Sequence, residues 1–283
     1  MSPSDSQPCI SVSKRGVFFL EMLAMELKRQ GSYVSRGLSF TSAEFETVSH
    51  ALTPEQSSVY DEAALLWQRV FRALEEARKV TKASKRLMSM YWGAHQRFFK
   101  QLIIAFKVDF VVKEAQRCID EGMAVVIGLQ GTGEAALNRY LERTGGGEGT
   151  WMSNALETLI GFLDNNFPTV IEKDDDPMQG VVAYDQNGFP MPVVSNAGSV
   201  SQECLDAKNK LIAEASAINL PLSALDMLID RLGGPTKVAE MTGRTSRLVR
   251  SGNGSEIKVQ QRGKAEDEVD RVNVKECARF NAG

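Results

Sequence analysis

Apolar positions recur at helical spacing through most of this 283-residue chain, and one stretch breaks that rhythm with a continuous apolar run. Residues 123–129 read Met-Ala-Val-Val-Ile-Gly-Leu. The run is too short for a helix and rich in β-branched side chains, so it predicts a strand buried on both faces. Gly128, Gly131 and Gly133 let the backbone turn sharply or approach a neighbour closely. Residues 134–143 then have helical composition, with Glu134 in the first turn and Arg143 in the last, as the helix dipole favours. Strand, turn and helix together make the start of an α/β unit.

The other elements follow from the same patterning. Residues 15–31 predict an amphipathic helix with Phe19, Met22, Leu23, Glu26 and Leu27 at helical spacing and Gly31 as its C-terminal cap. Partial alternation over residues 33–48 predicts two short strands or a hairpin. Thr53-Pro54-Glu55-Gln56 predicts a helix start, with Thr53 as N-cap, Pro54 in the first position and Gln56 closing a capping box. That helix should reach about Lys79, with Tyr60, Ala64, Trp67 and Phe71 on one face. Residues 85–121 predict two helices broken near Val108. Gly145 and its neighbours end the helix that follows the glycine turn, and residues 151–166 form another, with Leu156, Leu159, Ile160 and Leu163 inward.

Residues 169–201 carry Glu172, Asp174, Asp175 and Asp176 with prolines and glycines, and predict a mobile acidic insertion. Beyond it, helices are expected over 202–219, 225–232, 236–241 and 273–280. A strand is expected over 244–249 and a polar surface loop over 251–270. No internal repeat is present.

Composition excludes more than it selects. The chain is long enough for one or two domains with a real core. A net charge of -3 gives no global bias towards nucleic acid. Cys9, Cys118, Cys204 and Cys277 lie far apart, which fits a reducing intracellular compartment and argues against zinc. No apolar run is long enough for a membrane span, and the first ten residues lack a signal core.

Several stretches invite chemistry. Gly128 and Gly133 have the spacing of a phosphate-binding P-loop, but Glu134 and Ala135 stand where Lys and Ser or Thr are required, and a carboxylate repels phosphate. Gly131, Gly133 and Ala136 fit a dinucleotide fingerprint, but the expected acid-bearing second strand is replaced by the helix at 151–166. A tight strand-to-helix connection without ligand fits the spacing best. His95 and His50 are the only histidines. A structural role fits His95, among Trp92, Phe98 and Phe99, better than catalysis. Arg97 and Lys100 either edge that helix or touch a phosphate. Residues 225–244 outline a helix-turn-helix, followed by Arg244, Arg247 and Arg250, a trio suited to a phosphate backbone. A helical hairpin with a solvated basic edge is the plainer alternative.

Three separated stretches, in order, resemble the strawberry notch family of helicase-like superfamily-two proteins. They are His95-Gln96-Arg97-Phe98-Phe99; Gly128-Leu129-Gln130-Gly131-Thr132-Gly133-Glu134-Ala135, which has Gly131 where the family usually has Ser; and Leu232-Gly233-Gly234-Pro235 with Lys237-Val238-Ala239-Glu240-Met241-Thr242-Gly243-Arg244. Weaker matches fall at 21–39 and 60–67. The resemblance implies a mostly helical α/β fold with a partial RecA-like second lobe, of the P-loop NTPase type. It divides the chain into a disordered 1–14, a helical bridging region at 15–121, the start of the C-terminal lobe at 122–167, the acidic linker at 168–201 and a helical segment of that lobe at 202–283.

The resemblance further implies a nuclear protein acting with DNA, chromatin and transcription regulators, and not with membranes. Complete members would use ATP and magnesium through an N-terminal ATPase lobe with P-loop and acidic magnesium motifs. Neither motif occurs here, so the chain is expected to hold no cofactor or metal and to be inactive alone. Gln130, Gly131, Thr132, Gly133 and Glu134 become the candidate nucleic-acid or interlobe contact. His95, Arg97, Arg244, Arg247 and Arg250 are candidate phosphate contacts. A non-enzymatic DNA- or protein-binding module built on 225–250 is the competing reading.

Overall fold

A computed structural model describes residues 17–34, 43–84, 86–146, 150–171, 199–251, 256–263 and 266–283. The chain divides into two units, residues 1–49 and 50–283. In the first, α1 (Val17–Arg29) ends as its glycine predicts, with Gly31 in the left-handed region at φ 73°. Phe19, Leu20 and Leu23 of α1 are each at least 40% exposed, so its apolar stripe faces solvent. The hairpin expected over 33–48 lies partly outside the described residues. Those described, 33–34 and 43–48, form no strand. The expectation for 1–14 lies wholly outside them.

The second unit is mostly helical. It begins with α2 (Pro54–Thr81), α3 (Arg86–Phe106) and α4 (Val108–Asp120), the last two separated at Lys107, as the break near Val108 predicts. Thr53 Oγ1 accepts from Gln56 N at 3.2 Å, and Gln56 Oε1 accepts from Thr53 N at 3.1 Å, completing the expected capping box. The Gln56 amide also donates to the Phe106 carbonyl at 3.0 Å, satisfying a C-terminal acceptor of α3.

Next come α5 (Glu134–Thr144), α6 (Asn154–Asn166) and β1 (Val170–Ile171), then β2 (Ser199–Val200), α7 (Gln202–Ala217) and α8 (Ala224–Arg231). The last elements are β3 (Ser246–Arg250), β4 (Ile257–Gln261) and α9 (Glu266–Ala282). Helices α2, α3, α6 and α7 pack in a closed ring, each touching two of the others. Their shared core holds Trp67, Phe98, Leu102, Leu159, Leu163 and Leu211. The inward face of α2 runs through Ala63, Leu66, Trp67, Val70 and Leu74. Of the stripe expected there, only Trp67 is fully buried. Tyr60 and Phe71 are half-buried and Ala64 is exposed, because the true stripe centres on Val70.

Four expectations are corrected. Residues 123–129 are extended but form no ladder, so the expected buried strand is absent. Both observed sheets are two-stranded and antiparallel, β1 with β2 and β3 with β4, rather than parts of a parallel sheet. Residues 236–241 begin in a turn at 236–237 and continue as irregular backbone, not as a second helix, so the helix-turn-helix outline fails. The expected surface loop at 251–270 instead contains β4 and the first turn of α9.

The strand expected at 244–249 is present as β3. At the insertion, β1 pairs Val170 with Val200, so its two ends lie side by side. Its acidic residues, 172–176, lie outside the described residues. Among the described residues no helix is long and apolar enough to cross a membrane.

Replacing Thr53 with Ala removes one half of the capping box and should lower stability by about 1 kcal/mol, read from urea unfolding. Gln56→Ala should cost more than that, since it also frees the Phe106 carbonyl.

Candidate functional site

The glycine turn leads straight into α5. Gly133 caps that helix in the left-handed region at φ 74°, where a side chain is strained. A Cβ there would also stand 2.2 Å from Asn154 Nδ2. The other two glycines are different: nothing lies near Gly128, and Gly131 would meet only Gln101 at 3.6 Å. One glycine of the three is therefore demanded by geometry. Asn154 opens α6 and is buried, and its Nδ2 donates to Ser223 Oγ at 3.4 Å.

Glu134 does not face an open phosphate site. Its Oε1 accepts from Thr245 N at 2.9 Å and from Thr245 Oγ1 at 3.3 Å. The carboxylate thus ties the glycine turn to the residue just before β3, across 111 positions of sequence.

Behind Thr245 lies a buried ion cluster. Arg244 is 1% exposed and donates to Asp226 Oδ1 at 2.6 Å and to Glu240 at 2.6 and 3.1 Å. Arg247 donates to Glu240 Oε2 at 3.2 Å and to Gln260 Oε1 at 2.8 Å. Arg262 donates to the Glu240, Thr242 and Arg244 carbonyls at 2.7 to 3.0 Å, and to Asn273 Oδ1 at 2.8 Å. This one side chain closes the loop between α8 and β3 onto α9.

Burial pushes the Asp226 carboxyl up, and the charge of Arg244 offsets it only in part. Burial would do the same to Glu240, but the hydrogen bond and charge of Arg244, with Thr242 and Arg262, outweigh it and hold Glu240 below its ordinary value. Arg244 stays charged, because its carboxylate partners outweigh its own burial.

The candidate phosphate contacts divide accordingly. Arg244 and Arg247 are buried among carboxylates, so the solvated basic edge is not there. Arg250 donates to Asp230 at 2.9 and 3.0 Å and lies 5.8 Å from the Trp151 ring centre. His95 and Arg97 stand apart on α3. His95 packs among Trp67, Trp92 and Phe99, and burial lowers its pKa, which favours the neutral ring. Arg97 is exposed. Gln130 is exposed, and Gly131, Thr132 and Gly133 are half-buried. Among the described residues, no backbone hydrogen bond engages the amides of 130–132.

Sequence reasoning missed Asp226, Glu240, Arg262 and Asn154. For Arg262 a signal existed: Ile257 and Val259 alternate with polar residues, which marks a half-buried strand leading to it.

Residues 223–283, which supply all five charged side chains of the ion cluster, match the model described as the C-terminal domain on strawberry notch homologue. Residues 4–62 match the model of a P-loop containing NTP hydrolase pore-1. The chain is 31% identical to rat protein strawberry notch homolog 1 over 96% of its length.

The chain belongs to the strawberry notch family.

Human protein strawberry notch homolog 2 is 30% identical over the same share, and Arabidopsis thaliana protein FORGETTER 1 is 25% identical. These alignments cover 26%, 25% and 29% of the three relatives, so the chain spans about a quarter of their length. The match at 4–62 brings a segment of an NTPase-type domain into a region that the resemblance alone assigns mostly to the bridge. No solved structure matches.

Three outcomes are expected from this geometry. Gly133→Ala should cost about 1–3 kcal/mol through backbone strain, and more through the clash with Asn154, while Gly128→Ala should be neutral within about 0.5 kcal/mol. Arg244→Met should cost about 3–5 kcal/mol by stranding two buried carboxylates. Glu240, with its lowered folded pKa, contributes stability that is present above its unfolded pKa of about 4.3 and lost as pH falls through the lower folded value. Glu240→Gln should therefore flatten the acid limb of a plot of unfolding midpoint against pH.

Proposed function

We propose that this chain is the bridging region and the start of the RecA-like C-terminal lobe of a helicase-like strawberry-notch protein. In this reading the complete protein uses ATP and magnesium and acts in the nucleus on transcription, through chromatin or nucleic acid. The turn of Gln130, Gly131, Thr132, Gly133 and Glu134 approaches a nucleic-acid backbone or the cleft between lobes.

The observation that carries this reading is the joining of two motifs that resemble the family's. Glu134 fixes the first to Thr245, which follows directly on Arg244 of the second. A turn held by such a tie is suited to repeated, precise contact. The amides of 130–132 have no backbone partner among the described residues, and successive free amides suit phosphate oxygens. The arginines then serve as the support of the turn rather than as its phosphate clamp. The chain alone should hydrolyse no ATP, since its sequence contains no Gly-x-x-x-x-Gly-Lys-Ser/Thr motif.

The test is Gln130→Ala with Thr132→Ala in a longer strawberry-notch protein that contains this region. Nucleic-acid-dependent ATP hydrolysis should fall by about tenfold, the equivalent of about 1.4 kcal/mol of lost positioning. Unchanged hydrolysis and unchanged nucleic-acid binding would sink the proposal.

A further inference from the structure

The glycine turn and the arginine cluster leave the motif His95-Gln96-Arg97-Phe98-Phe99 without a part. Beside it, α2 and α3 enclose a cavity of about 280 Å3, walled by Trp67, Gln68, Phe71, Tyr91, Trp92 and His95. Five of those six side chains are aromatic, so flat rings decide what fits. Trp92 lies 5.1 Å from Tyr91, 5.5 Å from His95 and 6.3 Å from Phe71 between ring centres. Trp67 forms the inner wall, edge-on to Tyr91 and His95 at 5.4 and 5.3 Å. Trp67 and Tyr91 are buried, whereas Trp92 is 52% exposed, so the cavity opens to solvent at Trp92. Half of a large amphipathic ring is thus left without a partner at the mouth. Within, Trp67 Nε1 is buried and has no hydrogen-bond partner among the described residues. A buried donor left unpaired calls for an acceptor from outside the chain.

Two kinds of guest suit such walls: a methylated ammonium, by cation–π attraction, and a nucleobase, by stacking. Charge decides between them. Over its 21 residues α3 carries Arg86, Arg97 and Lys100 and no Asp or Glu. All three cations are exposed, and among the described residues none forms an ion pair. By contrast, Arg69, Arg117, Arg231 and Arg250 are each paired with a carboxylate. On the α2 side Asp61, Arg72 and Glu75 are mixed in sign, so the cationic excess belongs to α3. Arg97 folds back over Gly93, its Nη1 3.3 Å from where a Cβ would stand, which sets a guanidinium over the residue after Trp92. Lys100 stands about 12 Å from Trp92 along the helix axis. A methylated ammonium would enter against this charge, with no carboxylate on α3 to receive it, whereas a polyanion is drawn by it.

We propose that the cavity between α2 and α3 holds an unstacked base of a single-stranded nucleic acid, with Trp92 as its stacking face and Arg97 and Lys100 on the flanking phosphates. The inference rests on the reading that the protein acts on nucleic acid, but it places a second contact on the bridging helices, independent of the glycine turn. Paired bases in a duplex are stacked on both faces, so the cavity selects single strands. Every base has a flat face, so the selection depends little on sequence.

The test uses the full chain, titrated with an oligothymidylate and, separately, with an oligouridylate of about 12 nucleotides. Tryptophan fluorescence should fall with at least one of them, and affinity should weaken as salt rises. Trp92→Ala should weaken binding at least about tenfold, and Trp92→Phe, which keeps an aromatic face, by less. Arg97→Gln with Lys100→Gln should weaken binding and flatten the log–log salt slope by about 1.4, from two lost phosphate contacts. The loss on Trp92→Ala should be the same when Gln130→Ala and Thr132→Ala are also present, so the cavity and the turn stand or fall separately. Binding of neither strand, equal affinity for a duplex of the same length, capture of a trimethyllysine peptide instead, or binding indifferent to Trp92→Ala would each overturn the proposal. The last of these would leave the reading of the glycine turn intact.

Discussion

Arg244 is the residue on which the C-terminal half of this structure depends. A buried guanidinium held by Asp226 and Glu240 has no tolerable alternative partner, so the elements bearing those carboxylates are fixed relative to β3. Its neighbour Thr245 receives Glu134, which carries the constraint to the glycine turn. Arg262 ties the same loop to Asn273 of α9, where no apolar contact would impose so exact a geometry. Five buried charged side chains in one cluster are a costly way to stabilise a fold. Their benefit is specificity: one arrangement satisfies the cluster, and it is the arrangement that presents the turn.

Around this cluster the chain divides its labour. The ring of α2, α3, α6 and α7 supplies the large apolar core, with Trp67 at its centre. The ring reaches the site through the N-terminus of α6, whose Asn154 lies against Gly133 and touches Ser223 just before α8. Ser223 in turn hydrogen-bonds Asp226, so packing in the ring and ion pairing in the cluster meet at the turn.

The sequence showed helices well where local chemistry decides them. Thr53 and Gln56 announce α2, Gly31 and Gly145 end α1 and α5, and the break at Lys107 falls where the periodicity slips. It misled where structure depends on distant partners. Residues 123–129 have the composition of a buried strand, but a ladder needs a neighbour, and composition does not supply one. Residues 236–241 have fair helical composition. There the pull of Arg244 and Arg262 on Glu240, together with the carbonyls claimed by Arg262, sets the backbone instead. Arg244, Arg247 and Arg250 read as a basic edge because spacing reveals charge but not the carboxylates folded against it. The importance of Glu134 was legible only in part. It rules out a P-loop by its charge, whereas its bond to Thr245 crosses too much sequence to foresee.

The glycine turn and the arginine cluster form one mechanical unit, joined through Glu134 and Thr245. A double-mutant cycle between Glu134→Gln and Arg244→Lys, read by urea unfolding of the intact chain, tests it most directly. If the two act through Thr245 as one unit, the combined loss should differ from the sum of the single losses by about 0.5–3 kcal/mol. Strict additivity, with each substitution costing the same whether or not the other is present, would contradict the account.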